Sequence, residues 1–212
     1  MKSALALCAL VAAACLAGTA AGAVRANSAT FADPAGDSGN APDITAVSVS
    51  NDDAGTVTFL VTIANRPVLG PQDMLVLAMD IDGNASNGVS GIDYAAAMGP
   101  GFAMLVSGAG GTFVPAAVPS FSGSYQGGVA TFAVNRSDIG NPSTIVFFLQ
   151  SSADGGDTAG DDAPDGTAIW RYQPIIAAAP VAPPAAVKTP RPPTTPKCHK
   201  GQKSTKAHRC HK

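Results

Sequence analysis

The 212-residue chain has a formal charge of −2, but its charges are segregated. Residues 24–187 hold 15 Asp against Arg25, Arg66, Arg136 and Arg171, a balance of −11, while residues 188–212 hold eight Lys/Arg and no acid. That acidic body contains no His, Glu, Lys or Cys, which excludes an imidazole general base, a lysine Schiff base and a cysteine nucleophile.

Met1-Lys2 forms a short positive start, Ala4 to Leu16 is an apolar run, and Ala21-Gly22-Ala23 supplies the small residues that signal peptidase needs. The pattern predicts a signal peptide over 1–23, cut after Ala23, and export to an oxidising compartment. The apolar run is shorter than the ~20 residues that span a bilayer, so the mature chain is expected to have no transmembrane segment. A lipoprotein would use Cys15, but Ala12 stands where a Leu-like residue is usual.

The remaining body, roughly 150 residues, is long enough to bury about 70% of its unfolded surface without disulfides. Ile44 to Ser50 alternates through Val47 and Val49, and Thr56 to Ile63 places Val57, Phe59, Val61 and Ile63 on one face. Period two with β-branched residues predicts half-buried strands, and Asn51 to Gly55 makes the turn between them. Met74 to Asp82 is apolar on both faces, as a covered central strand is. Further strands are predicted at Ile92–Met98, Phe102–Ser107, Thr112–Val118, Val129–Val134 and Thr144–Gln150, with one helical turn at 136–140 capped by Ser137. Seven to nine short strands without helical periodicity indicate an all-β fold, an antiparallel β-sandwich over residues 24–173.

From Pro174 to Pro196, eight prolines fall within 23 residues, which predicts a disordered linker (174–197) of stiff polyproline II character. The basic tail 198–212 contains Cys198, Cys210, His199, His208 and His211. In an oxidising space Cys198 and Cys210 are expected to close a disulfide loop worth roughly 3 kcal/mol. A zinc site from Cys198, His199, Cys210 and His211 matches no usual spacing; free or intermolecular thiols are the other alternative. The tail's charge predicts attraction to a cell-envelope polyanion without specificity for nucleic acid, and a purely solubilising tail fits the composition as well.

Aspartates cluster in three places: Asp33, Asp37 and Asp43; Asp80, Asp82, Asn84 and Asp93; and Asp154, Asp157, Asp161, Asp162 and Asp165. Ca²⁺ takes six to eight oxygens at about 2.3–2.6 Å from carboxylates, amides and carbonyls on adaptable loops. Asp80-x-Asp82-x-Asn84 delivers three oxygens on alternate residues, but the glutamate of an EF-hand loop is missing. The competing reading is that Asp, Asn and Gly simply make turns. Paired carboxylates for glycoside hydrolysis fare poorly, since every Asp lies in a turn-like context with no apolar setting to raise its pKa.

The DPAGD opening (residues 33–37) with Pro42-Asp43, the Asp80-Ile81-Asp82…Gly91-Ile92-Asp93-Tyr94 middle, and Asp161-Asp162-Ala163-Pro164-Asp165 before Trp170 resemble the DOMON-like superfamily. The similarity is closest to its family 9 carbohydrate-binding-module branch and covers residues 31–173. The resemblance implies an extracellular, non-catalytic sandwich, often with bound calcium, that recognises sugars. It carries over Asp33, Asp37 and Asp43 to one cation environment and Asp80, Asp82, Asn84 and Asp93 to another, in one site or two. Sugar-binding members clamp rings between aromatic side chains, usually tryptophans, whereas this chain has only Trp170; Trp170, Tyr94 and Tyr125 are the candidate stacking residues. Haem-binding relatives use a histidine that the body lacks.

The resulting expectation is a secreted or cell-surface, calcium-supported binding module for an extracellular glycan or other envelope ligand. A scaffolding surface protein without a small ligand is the alternative, and a glycoside-acting enzyme stands third.

Overall fold

Val57, Phe59, Val61 and Ile63 are all buried on the inner side of one strand, while Leu60 and Thr62 face outward. The computed structural model describes residues 24–25, 28–156, 158 and 160–175, all within one compact unit. Its strands are β1 (Val24–Arg25), β2 (Ser28–Ala32), β3 (Ile44–Asn51), β4 (Thr56–Ile63), β5 (Met74–Asp80), β6 (Tyr94–Gly99), β7 (Phe102–Ser107), β8 (Val114–Pro115), β9 (Ser122–Gln126), β10 (Val129–Asn135), β11 (Ile145–Ser152), β12 (Asp161–Ala163) and β13 (Trp170–Gln173).

They form two sheets. The smaller has the order β2-β3-β4-β10-β9; the larger runs β1-β13-β11-β5-β6-β7-β8, with β12 added beside β11. Every pairing is antiparallel except the short β1–β13 contact. The expected antiparallel sandwich is therefore present, with more and shorter strands than the alternation alone predicted. No helix among the described residues is long and apolar enough to cross a membrane.

The inner faces meet in a core centred on Phe31, Phe59, Phe147 and Trp170. Phe31 and Phe147 meet edge to face at 5.2 Å, and Trp170 lies 5.4 and 5.7 Å from their respective centroids. A polar clamp joins the two sheets at one end. Tyr172 in β13 donates its hydroxyl to Asn51 Oδ1 in β3 at 2.6 Å, and Asn51 also exchanges hydrogen bonds with the Ile175 backbone. The sheets approach closely between β7 and β9, where a Cβ on Gly123 would lie 2.5 Å from that of Ala103.

The larger sheet has a second apolar layer on its outer side. Val76, Ala78, Ala95, Ala97 and Phe148 are buried there with Ile92 from the β5–β6 loop, and Phe113 and Ile169 pack against them. This explains why β5 is apolar at consecutive positions: it is covered on both faces.

Three local expectations change. Thr112–Val118 contributes only Val114–Pro115, because a proline has no N–H to continue the ladder. The turn at Arg136–Ile139 is a 3-10 segment capped by Asn135, whose side chain accepts the Ser137 N–H, rather than by Ser137. Strand β6 begins at Tyr94, while Ile92 makes only an isolated bridge to Val89. The expected signal peptide, most of the expected proline linker, and the tail with Cys198 and Cys210 lie outside the described residues.

Candidate functional site

Strand β2 ends at Ala32, and the next residue, Asp33, turns its side chain into the body, where it is 8% exposed. Its backbone stays on the sheet, donating to the Thr45 carbonyl at 3.1 Å. The following loop is shaped by Asp43, whose two carboxylate oxygens accept the Gly36 N–H at 3.1 Å each. Gly36 adopts φ 89°, open to glycine without steric cost. Asn65 braces the same loop by accepting the Asp43 N–H and donating to the Ala41 carbonyl.

From the other sheet, β12 pairs with the end of β11 and alternates strictly. Asp161 and Ala163 point inward, and Asp162 points outward to accept from Gln150. Carboxylate oxygens of Asp33, Asp37 and Asp161 thereby lie within 4.8 Å of one another. Asp161 Oδ2 accepts the Ile44 N–H at 2.6 Å. Both oxygens of Asp33 are buried and have no hydrogen-bond partner. Asp37, Asp161, Asp162 and Asp165 line an open depression of about 190 Å³ with Gly160 and Gly166, so no apolar side chain borders it.

The electrostatics follow from that crowding. Burial, then the charges of Asp161, Asp165 and Asp37, raise the Asp33 carboxyl to about 7; the Asp165 amide faces it and draws it partly back. Burial also raises Asp161 to about 6, against the pull of the Ile44 N–H, with Asp37, Asp43 and Asp165 adding to the rise. The expectation that no carboxylate sits where burial would raise its pKa is thus overturned for these two. All the charges acting on them are negative, so the environment lacks a cation rather than an anion.

The residues fit a hard divalent ion. The donor set is entirely oxygen, and an uncompensated buried carboxylate costs several kcal/mol unless something positive meets it. Asp43, expected among the ligands, stands behind the group as the brace of the Gly36 turn. Asp161, from the third aspartate group, takes its place; its sequence signal is an Asp at an inward position of a short Asp-Asp-Ala strand.

The second expected cluster is separate. Asp80, Asp82 and Asp93 also bring oxygens within 4.8 Å of one another, but each is already engaged. Asp80 Oδ1 accepts the N–H groups of Asp82 and Gly83, and Asp82 accepts from the Asn84 backbone and the Asn87 side chain. Asp93 Oδ2 accepts the Ile81 N–H at 2.9 Å, and burial raises its carboxyl. Asn84 Oδ1 accepts from Ser86. This is a ladder of turns closed by its own amides. In the third group, Asp154 accepts from Thr158, and Asp157 is outside the described residues.

The aromatic residues do not form a sugar clamp. Trp170 is 6% exposed and packs in the core against Phe31 and Phe147, which corrects its expected role as a stacking surface. Tyr94 is half-buried against that core. Tyr125 borders a cavity of about 270 Å³ with Met98, Phe102, Ala103 and Ser124. Its hydroxyl donates to the Arg66 carbonyl, and burial followed by the Asp73 charge pushes it up to about 12.

No known family, curated protein or solved structure matches the chain.

Proposed function

We propose that this chain is an exported, non-catalytic β-sandwich module that holds one calcium ion with Asp33, Asp37 and Asp161 and binds an extracellular glycan. The observation that carries the calcium reading is the Asp33 carboxylate, buried with both oxygens unpartnered and aimed at two further carboxylates. A buried carboxylate is retained when it is paired or coordinates a metal. Calcium suits the set better than zinc or copper, because the three side chains offer only carboxylate oxygens and the acidic body has no histidine or cysteine.

Hydrolysis is the weaker reading of the same carboxylates. A general acid must come within hydrogen-bond reach of a substrate oxygen, whereas the Asp33 oxygens are closed off from solvent. Export and glycan recognition rest on the leader pattern and on the family resemblance.

Native mass spectrometry and calorimetry on the whole chain test the calcium reading. One Ca²⁺ per chain is expected, abolished in Asp33→Ala and retained in Asp82→Ala. A chain that takes up no calcium, or one whose uptake survives Asp33→Ala, would refute it.

A further inference from the structure

We propose that the acidic groove beside Asp37 and Asp165 receives the basic segment 197–212 of a second copy, joining chains head to tail. The segment carries a cation at every third residue: Lys197, Lys200, Lys203, Lys206, Arg209 and Lys212. Polyproline II has three residues per turn and rises about 3.1 Å per residue. In that conformation the cations fall along one edge, as a ladder with rungs about 9 Å apart. No acid interrupts the ladder, and a tail that served only for solubility needs no such period.

Two hollows on the body meet at Gly160. Asp37, Asp161, Asp162 and Asp165 border one of about 190 Å³, and Ser38, Asn40, Asp154 and Thr158 border the other, of about 360 Å³. Taken as touching spheres, they have centres roughly 8 Å apart, close to one rung of the ladder. The walls are pinned where they join, since a Cβ on Gly160 would lie 2.3 Å from that of Ala41. Asp33, 8% exposed and with both oxygens unpartnered, aims into this group, within 4.8 Å of Asp37 and Asp161. Every charge that acts on Asp33, Asp161 and Asp165 is negative. Arg66, which donates to the Asn40 carbonyl, is already paired with Asp73 at 2.9 Å.

The charges select the partner. Asp33, Asp37, Asp154, Asp161, Asp162 and Asp165 give the groove a formal −6, and one calcium ion leaves −4. An anionic or apolar ligand finds neither a cation nor an apolar wall larger than Ala41 and Ala153. The body of another copy offers four Arg and no Lys, whereas residues 188–212 offer eight cations. Two neighbouring rungs suffice for the two hollows, and a loop closed by Cys198 and Cys210 still supplies them. The proline stretch of 23 residues, at ~3.1 Å each, gives the segment a reach of about 70 Å. That exceeds the roughly 40 Å breadth of a domain of this size. The contact is heterologous, so copies link into open chains. The proposal shares Asp33, Asp37 and Asp161 with the calcium reading but does not require that an ion be bound.

Sedimentation velocity on the whole chain tests the proposal, in calcium at about 0.05 M and about 0.5 M NaCl. Two charge-reversed variants are compared: Asp162→Lys/Asp165→Lys in the groove and Lys203→Glu/Lys206→Glu in the ladder. The parent is expected to associate with rising concentration at low salt, about tenfold more weakly at high salt. Each variant alone stays monomeric, and an equal mixture of the two associates again, because the reversed groove meets the reversed ladder. Melting temperatures check that both are folded; the ladder variant lies outside the sandwich and decides the matter if the groove variant is not. A parent monomeric at low salt, association unaffected by the ladder variant, or a mixture of folded variants that stays monomeric overturns the proposal. Calcium stoichiometry, read on the parent by mass spectrometry, stands or falls independently of these results.

Discussion

The Ile44 N–H donates to Asp161 Oδ2 at 2.6 Å, joining the first residue of β3 in one sheet to the β12 strand of the other. It is a charge-assisted bond in a buried setting, the kind worth about 1.5–3 kcal/mol. With calcium present to compensate the Asp161 charge, Asp161→Ala lowers the unfolding free energy by about 2–3 kcal/mol in urea titration and removes a proposed calcium ligand. Asp161→Asn retains an acceptor and is milder in stability but equally defective in calcium uptake. Equal stability of the two variants would remove the role assigned to this bond.

The cation-free protein has an inverted pH dependence. Asp33 rises from 3.8 to about 7 and Asp161 from 3.8 to about 6 on folding, so the folded state holds protons that the unfolded chain has released. Stability from these two groups is full below about pH 4 and is lost as pH climbs to about 7. In EDTA the melting temperature falls over that window; in calcium the fall flattens, and the two curves separate most near neutrality. A melting temperature in EDTA that rises across the window contradicts the raised carboxyls.

Asp33→Asn separates charge from coordination. Removing the buried charge raises the melting temperature in EDTA near neutral pH, yet the variant gains little from added calcium. Scanning fluorimetry with and without calcium reads both effects. A variant less stable than the parent in EDTA would show that Asp33 has a partner other than a cation.

Tyr172→Phe deletes the hydroxyl that reaches Asn51 Oδ1 while leaving the Ile175 N–H on the same oxygen. The loss of one buried hydrogen bond predicts a cost of about 1–1.5 kcal/mol. Asn51→Ala, which strips the clamp from β3, β13 and Ile175 together, costs more. Denaturant titration at constant m-value distinguishes them, and an Asn51→Ala variant as stable as the parent would rule the clamp out.

Trp170→Ala is a core deletion and predicts a loss of about 3–5 kcal/mol, while Trp170→Phe keeps most of the ring contact and most of the stability. Retention on polysaccharide is unchanged in Trp170→Phe. Its loss there, with the fold intact, would return Trp170 to the ligand.

Much of the fold could be read in the chain because β4 and β10 alternate cleanly and β5 is apolar throughout, so their environments are written in consecutive residues. Strand β9, Ser-Gly-Ser-Tyr-Gln, carries no such signal: Gly123 is there because Ala103 of the other sheet approaches it, a tertiary requirement. The same limit applies to the site. Asp33 and Asp37 announce themselves in one loop, but Asp161 reaches them through a strand more than a hundred residues away, and no local pattern specifies that meeting. Asp43 and Asp161 look alike in sequence; one accepts the Gly36 N–H in its own loop and the other faces inward from β12. Trp170 misled because a lone tryptophan is read as a ligand surface, whereas burial among phenylalanines is what its area favours.

The chain's single tryptophan is fixed between the sheets, which gives the molecule an internal optical gauge. Emission from that indole reports the packing between the two layers, where Phe31 and Phe147 lie against it. Asp33 lies two residues along from Phe31, one of the rings packed on that indole, so the same signal reads any rearrangement around the aspartate group without a label.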